Sequence, residues 1–101
     1  MTTYFVSRHE GALQWAKLKG LAYDVHLSHL TNFDVLQADD VIIGTLPINL
    51  VFQLNERGIR YVHLCLEIPP ELRGVELTVQ QLDACNASLE EFVVHKVAFN
   101  V

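Results

Sequence analysis

Three side chains suited to phosphate chemistry follow one another at Ser7, Arg8 and His9, directly after an apolar stretch that ends at Val6. The guanidinium fork of an arginine binds a phosphate through two hydrogen bonds, and an imidazole can exchange a proton near neutral pH. The triplet also precedes a predicted helix, whose free N–H groups favour an anion, and Gly11 would let a ligand approach its first turn. Because short motifs are unreliable, a solvated polar turn is the alternative to a phosphate site.

The stretch G-T-L-P-I-N at positions 44–49 is the second candidate. Gly44 permits a close approach of the backbone, Thr45 offers a hydroxyl, and Pro47 suits the first position of a helix. Asn49 would then lie in the first turn of that helix, beside its free N–H groups. Glycine, threonine and proline are also common in routine strand-to-helix turns, so this stretch alone leaves both interpretations open.

Strands and helices alternate along the chain, which predicts an α/β fold with a mainly parallel sheet flanked by helices. In such sheets, ligands bind beyond the carboxyl ends of the strands, near the place where the strand order reverses. We therefore expect the site directly after strands 1, 3 and 4, and the two motifs follow strands 1 and 3. The predicted strands are Thr2–Val6, Tyr23–Leu27, Val41–Gly44, Arg60–Leu66 and an edge strand within Leu89–Phe99, and the predicted helices are Glu10–Lys19, Pro47–Arg57 and Val79–Cys85. A continuation of the last helix is the alternative for Leu89–Phe99, and its apolar residues favour the strand.

Length and composition indicate one domain spanning residues 1–101. The apolar fraction is 50%, and the chain has only five glycines and three prolines, so disorder is not expected. The segments Val41–Ile43 and Tyr61–Leu64 are nearly unbroken apolar runs. We expect them to be among the most buried strands of the sheet.

Charge and hydropathy exclude several classes of partner. A net charge of -5, with seven scattered lysines and arginines, argues against duplex DNA but allows a small phosphate-rich ligand in a local pocket. No apolar stretch approaches the roughly 18 residues that cross a bilayer, and the first ten residues lack a signal-peptide pattern. Cys65 and Cys85 lack C-x-x-C spacing, which favours a reducing compartment. We therefore expect a cytoplasmic protein without a membrane partner.

Other chemistries have little support in the sequence. His26 and His29 resemble half of a metal site, but a metal needs three or four ligands with suitable spacing, and the sequence shows no such set. We assign them loop and strand roles and expect no metal and no cofactor. The chain lacks a P-loop, a G-x-G-x-x-G motif and a G-x-S-x-G motif. Nucleotide triphosphate hydrolysis, dinucleotide redox chemistry and esterase catalysis therefore lose support.

Four stretches of the chain resemble a known family: TTYFVSRHEGALQWAK, VIIGTLPINL, ERGIRYVHLCLEIPPELRGVEL and the LEEF tail. They are similar to small CRISPR-associated proteins that are encoded beside type III systems and counted among the ring nucleases. The likeness covers nearly the whole chain, and its sharpest parts are S-R-H-x-G-A-x-x-W-A and G-T-L-P-x-N. The resemblance implies a CARF-like, Rossmann-type domain that forms a homodimer and cleaves cyclic tetra-adenylate. The matching site positions are Ser7, Arg8, His9, Gly44, Thr45, Leu46, Pro47 and Asn49.

For that substrate, the available side chains suggest a mechanism without metal. The 2′-hydroxyl of the RNA would attack the adjacent phosphate and leave a 2′,3′-cyclic phosphate. Arg8 would stabilise the additional negative charge of the transition state, and His9 would transfer a proton. Ser7 or Thr45 would orient the phosphate or the 2′-hydroxyl. Leu46 and neighbouring apolar side chains would line a pocket for adenine.

Two other functions stay open on the sequence alone. One is a binder that sequesters the same messenger without cutting it, and the other is a protein-interaction module without a nucleotide. His9 separates the first from a nuclease, because only cleavage needs a proton-transfer group. A two-fold dimer would double the arginines and helix ends that face a ring of four phosphates. We expect its contact to use helix 2 and the segment near Leu66–Pro70.

Overall fold

The computed structural model describes residues 1–100, which form one five-stranded sheet with helices on both faces. The strands are β1 (Thr3–Val6), β2 (Val25–Leu27), β3 (Val41–Gly44), β4 (Arg60–Cys65) and β5 (Ser88–Phe92). The helices are α1 (Glu10–Leu18), α2 (Ile48–Glu56) and α3 (Val79–Ala84), with short 3₁₀ turns at Phe33–Val35 and Pro70–Leu72.

The strand order is β2-β1-β3-β4-β5, in which the first four strands are parallel and β5 runs antiparallel to β4. The predicted α/β fold with a mainly parallel sheet is therefore confirmed. The chain leaves β1 for β2 on one side and returns as β3 on the other, so the order reverses between β1 and β3. Val6 and Gly44 pair in register at the ends of these strands. Ser7 and Thr45 consequently leave the sheet at neighbouring points of its carboxyl edge.

Alternating side chains of the central strands build a core on each face of the sheet, as the strand geometry requires. One core joins the sheet to α1 and α3, and the other joins it to α2. Three of the seven defined positions of the S-R-H-x-G-A-x-x-W-A motif, namely Ala12, Trp15 and Ala16, therefore serve packing. The first core holds Phe5, Ala12, Trp15, Ala16, Val41, Ile43, Leu64 and Leu82, and the second holds Val6, Leu36, Ile42, Val51, Leu54, Ile59 and Tyr61.

Burial of the central strands follows the sequence prediction closely. All of Val41–Ile43 is buried, which confirms the prediction for β3. In β4, Tyr61 and Leu64 are buried, whereas Val62 and His63 are only half-buried. The neighbour of β4 on its outer side is the edge strand β5, so this part of the sheet is covered less completely than β3.

Two element ends differ from the sequence prediction by two residues or more. Strand β2 begins at Val25 rather than Tyr23, because Asp24 instead exchanges hydrogen bonds of 2.8 Å with the backbone of Thr3, the first residue of β1. The predicted edge strand is confirmed but ends at Phe92, which is paired with the second residue of β4. Beyond it, the tail turns towards α2, where the Val94 N–H donates to the Asn55 side chain at 2.8 Å.

The segment between β4 and α3 is anchored at its far end. Thr78 is the N-cap of α3, and it forms a reciprocal capping box with Gln81. The indole N–H of Trp15 donates to Asp83 at 3.1 Å and ties α1 to α3. The segment 66–77 is thereby held beside the first turn of α1.

Within residues 1–100, no helix is long and apolar enough to cross a membrane.

Candidate functional site

The Ser7-Arg8-His9 triplet forms the connection from β1 to α1. The Ser7 hydroxyl accepts a hydrogen bond of 3.2 Å from the His9 N–H, and the Ser7 carbonyl accepts one of 2.7 Å from the His26 ring. His9 is the N-cap of α1 in extended conformation, but its side chain does not cap the helix. The free N–H groups of this nine-residue helix thus lie beside the triplet, where they favour an anion.

Arg8 carries the positive charge of this connection. It is exposed, and within residues 1–100 its guanidinium makes no salt bridge and no side-chain hydrogen bond. An arginine that is engaged in a protein ion pair would lose that partner on binding a phosphate. Arg8 has no such contact to break, so its full fork is free for a ligand.

His9 contacts a carboxylate that could not be selected from the sequence. Its Nδ1 lies 2.9 and 3.0 Å from the two carboxylate oxygens of Glu76, which is 67 residues away in the chain. A carboxylate accepts the proton of Nδ1–H and thereby leaves Nε2 as the ring nitrogen that can exchange a proton with a ligand. The pair is half-exposed, with side-chain exposures of 51% and 61%. Glu76 therefore orients His9 without burying it.

Tyr61 fixes the turn from β3 to α2. Its hydroxyl donates to the Gly44 carbonyl at 3.0 Å and accepts from the Leu46 N–H at 2.8 Å. The Nδ1 of His63 lies 2.6 Å from the same oxygen. Burial raises the pKa of Tyr61, although the Leu46 N–H works against this shift. The hydroxyl thus stays protonated and can hold both ends of the turn that carries Thr45.

Tyr61→Phe is expected to destabilise the protein, because it leaves the Gly44 carbonyl and the Leu46 N–H without their partner. Leaving such buried groups unsatisfied costs about 1–3 kcal/mol of the free energy of unfolding. Urea denaturation measures this change through the transition midpoint. Tyr4→Phe is the matched control, since Tyr4 is half-buried and its hydroxyl makes no hydrogen bond within residues 1–100. Equal stability of the two variants would contradict the role given to Tyr61.

Two adjoining cavities open at the carboxyl edge of the sheet, and both are lined by Ser7, His9 and Thr45. The first, which we call the apolar cavity, has a volume of about 280 Å³. The second, the polar cavity, has a volume of about 400 Å³. The apolar cavity is otherwise lined by Ala12, Leu64, Leu66, Ile68, Val75, Leu77 and Leu82. The polar cavity is otherwise lined by Val6, Arg8, Ser28, His29, Leu30, Thr31, Leu46 and Leu50.

The structure brings together five of the nine site residues expected from the sequence. These five line one or both cavities: Ser7, Arg8, His9, Thr45 and Leu46. The other four line neither cavity: Gly11, Gly44, Pro47 and Asn49. Three side chains that the sequence did not select also surround the site, namely Glu76, Tyr61 and His29.

The role expected for Gly11 was wrong. Gly11 is buried, and a Cβ at this position would lie 1.9 Å from the Leu77 carbonyl oxygen. The missing side chain allows α1 to lie against the segment before α3, so no ligand can approach the helix through this glycine. Its contact instead keeps Leu77, and with it the neighbouring Glu76, close to the triplet.

The other three expected site residues, Gly44, Pro47 and Asn49, lie at the turn from β3 to α2 or in the first turn of α2. A Cβ at Gly44 would come within 2.8 Å of the Val6 carbonyl oxygen, so the glycine allows β1 and β3 to end side by side. Pro47 is the N-cap of α2 rather than its first helical residue, and its carbonyl accepts the first helical hydrogen bonds. Asn49 lies exposed in the first turn of α2, away from both cavities.

The other histidines have separate positions. His26 lies in β2, as predicted, and its ring donates to the Ser7 carbonyl. His29 lines the polar cavity. His63 contacts the Tyr61 hydroxyl, and His95 is exposed. Over the part of the chain that the structure describes, no three histidine, cysteine or acidic side chains are grouped closely enough to hold a metal ion.

Comparisons with known proteins gave one match. A family model described as "Putative CRISPR-associated protein (Cas_VVA1548)" matches residues 4–95, a range that includes both motifs and all five strands apart from the first residue of β1. Searches of curated proteins and of solved structures returned no match.

Proposed function

Because this chain belongs to the CRISPR-associated family Cas_VVA1548, we propose that it is a ring nuclease, which cleaves the cyclic tetra-adenylate messenger of type III CRISPR immunity. Family membership supports the CRISPR setting, and the resemblance of the two motifs narrows it to a cyclic oligoadenylate. The observation that carries the proposal is the meeting of Arg8, His9 and Thr45 around adjoining cavities at the β1/β3 switch point. Open α/β sheets bind their ligands at such points.

The proposed reaction uses the nucleophile that RNA itself carries. The 2′-hydroxyl attacks the adjacent phosphorus, so a P–O2′ bond forms while the P–O5′ bond breaks. The products are a 2′,3′-cyclic phosphate and a free 5′-hydroxyl, and the proton lost by the 2′-oxygen balances the one gained by the 5′-oxygen. Binding the ring in line for this attack supplies part of the rate, because it replaces a random encounter of the reacting atoms.

Each side chain of the site has a role in this reaction. Arg8 and the N-terminal N–H groups of α1 stabilise the negative charge that grows on the phosphate oxygens. His9 exchanges a proton through Nε2 with the attacking or the leaving oxygen, since Glu76 occupies Nδ1. Ser7 and Thr45 line both cavities and orient the phosphate between them. We expect this chemistry to proceed without a divalent metal.

Glu76→Ala is expected to lower kcat about tenfold with little change in KM. A tenfold loss of rate corresponds to the loss of one charge-assisted hydrogen bond, which contributes about 1.5 kcal/mol. Glu76 touches only His9 in this scheme, so it is a positioning residue. Glu76→Gln keeps an oxygen that can accept from Nδ1–H and should restore most of the rate. Single-turnover kinetics measure both variants, with Glu71→Ala in the same exposed segment as the control. A wild-type rate in Glu76→Ala would remove this residue from the mechanism.

We further propose that two chains share one ring. Each chain offers one Arg8 and the uncapped N-termini of α1 and α2. The ring, in contrast, carries four phosphates, and the chain itself has a net charge of -5. A two-fold dimer doubles these positive groups and can match a two-fold ring. The exposed apolar side chain of Ile48, at 73% exposure beside Leu46, supports a contact through α2.

The stoichiometry of the complex tests this assembly. Sedimentation of the free protein should give a dimer, and calorimetric titration with cyclic tetra-adenylate should give one ring per two chains. A monomer that binds one ring per chain would contradict the shared site, even if the ring is cleaved.

Chromatography of the products tests the proposed function itself. After incubation with cyclic tetra-adenylate, we expect linear fragments that end in a 2′,3′-cyclic phosphate. Recovery of intact, bound ring would identify a binder that sequesters the messenger. The absence of any thermal shift with cyclic tetra-adenylate or cyclic hexa-adenylate would favour an interaction module instead.

A further inference from the structure

The apolar cavity opens directly beside the proposed phosphate site, but the proposed reaction leaves its aliphatic interior without a role. Apart from Ser7, His9 and Thr45 at its rim, every lining side chain is aliphatic, and no lysine, arginine or carboxylate faces it. A phosphate or another fully charged group would lose its hydration there without gaining a partner. The occupant that fits is therefore an uncharged group attached to something more polar.

We propose that the apolar cavity binds one purine base of a nucleotide whose phosphate occupies the adjoining polar cavity. This inference rests on the proposed function for the nucleotide, and it adds where the base is held and by which residues. It also differs from the sequence expectation, which gave the base to Leu46, a residue that lines the polar cavity instead.

Size and position support a base in this cavity. Pockets that enclose whole drug-sized ligands have volumes of about 300–1,000 Å³. A cavity of about 280 Å³ falls just below that range and suits a single planar ring system better than a complete nucleotide. The shared rim of Ser7, His9 and Thr45 then lies between the base and the phosphate, where the ribose and its 2′-hydroxyl belong.

The segment between β4 and α3 supplies the specific wall of this subsite. Its residues Ile68, Val75 and Leu77 line the cavity, and Glu76, between the last two, holds His9. One short stretch thus contacts the base and orients the proton-transfer group. Val75 is 51% exposed and stands at the opening, so its side chain can be enlarged without disturbing a buried core.

Methyl NMR with three probes tests the subsite without relying on cleavage. Adenosine 5′-monophosphate should move the methyl signals of Leu64, Leu77 and Val75 through the ring current of the base. Ribose 5-phosphate and inorganic phosphate lack that ring and should leave these signals in place. Unchanged methyl signals at saturating adenosine monophosphate, or equal shifts with inorganic phosphate, would overturn the proposal.

A filled cavity provides the second arm of the test. Val75→Trp should weaken binding of adenosine monophosphate at least tenfold while leaving the affinity for ribose 5-phosphate unchanged. Val35→Trp is the matched control, because Val35 is 59% exposed and lines neither cavity, and it should bind both probes normally. An unaltered affinity of Val75→Trp for adenosine monophosphate would locate the base elsewhere. If the methyl signals shift but cyclic tetra-adenylate is never cleaved, the base subsite stands and only the nuclease proposal fails.

Discussion

His9→Ala is expected to slow cleavage of cyclic tetra-adenylate by about 10²–10⁴-fold, the usual loss when a general acid or base is removed. Binding of the ring should change little, because phosphate affinity comes from Arg8 and the helix ends in this mechanism. Single-turnover cleavage, measured beside calorimetric binding of the ring, separates the two effects.

His95→Ala is the matched control for that variant. His95 is exposed and lines neither cavity at the carboxyl edge, so its loss should leave the rate unchanged. Full activity of His9→Ala would remove this histidine from the reaction. An equal loss of binding and of rate would make it a ligand contact instead of a proton-transfer group.

Arg8→Ala is expected to weaken binding of the ring and to lower the cleavage rate by about 10²–10³-fold, the effect of removing one donor that stabilises transition-state charge. Both should fall, because an arginine fork binds the phosphate before the reaction and grips it more strongly as charge accumulates. Lysine cannot supply the same two-point contact, so Arg8→Lys should recover only part of the loss.

The control for Arg8→Ala must remove one positive charge elsewhere. Lys17→Ala does so in the last turn of α1, at the far end of the helix from Arg8. Both variants change the net charge equally, so a general electrostatic effect on an acidic protein would weaken them alike. Equal losses in the two variants would contradict a specific role for Arg8.

The meeting of the two motifs at one edge of the sheet could be predicted because it depends on the backbone. The runs before Ser7 and Thr45 could be identified as strands, and the parallel sheet brings their carboxyl ends to one edge. The strand order itself was not predictable, since nothing local in the sequence specifies which strands pair. In the observed order, the reversal of strand order lies between β1 and β3, the strands that precede the two motifs.

The partners of the motif residues could not be predicted for a related reason. Glu76 lies in an irregular segment, and it reaches His9 because Gly11 packs against the Leu77 carbonyl and Trp15 is hydrogen-bonded to Asp83 of α3. Tyr61 reads as an ordinary strand residue until β4 is paired beside β3. Gly11 was misinterpreted because a glycine beside a site can serve either a ligand or a neighbouring backbone, and sequence does not distinguish the two.

Cleavage of two rings in excess EDTA tests the proposed chemistry most directly. One is cyclic tetra-adenylate, and the other is the same ring with a methyl group on every 2′-oxygen, which removes the nucleophile but keeps the phosphates and bases. We predict that the unmodified ring is cut to fragments with 2′,3′-cyclic phosphate ends, while the methylated ring is bound and stays intact. Cleavage of the methylated ring, or an unmodified ring that is cut only after a divalent metal is restored, would contradict the mechanism.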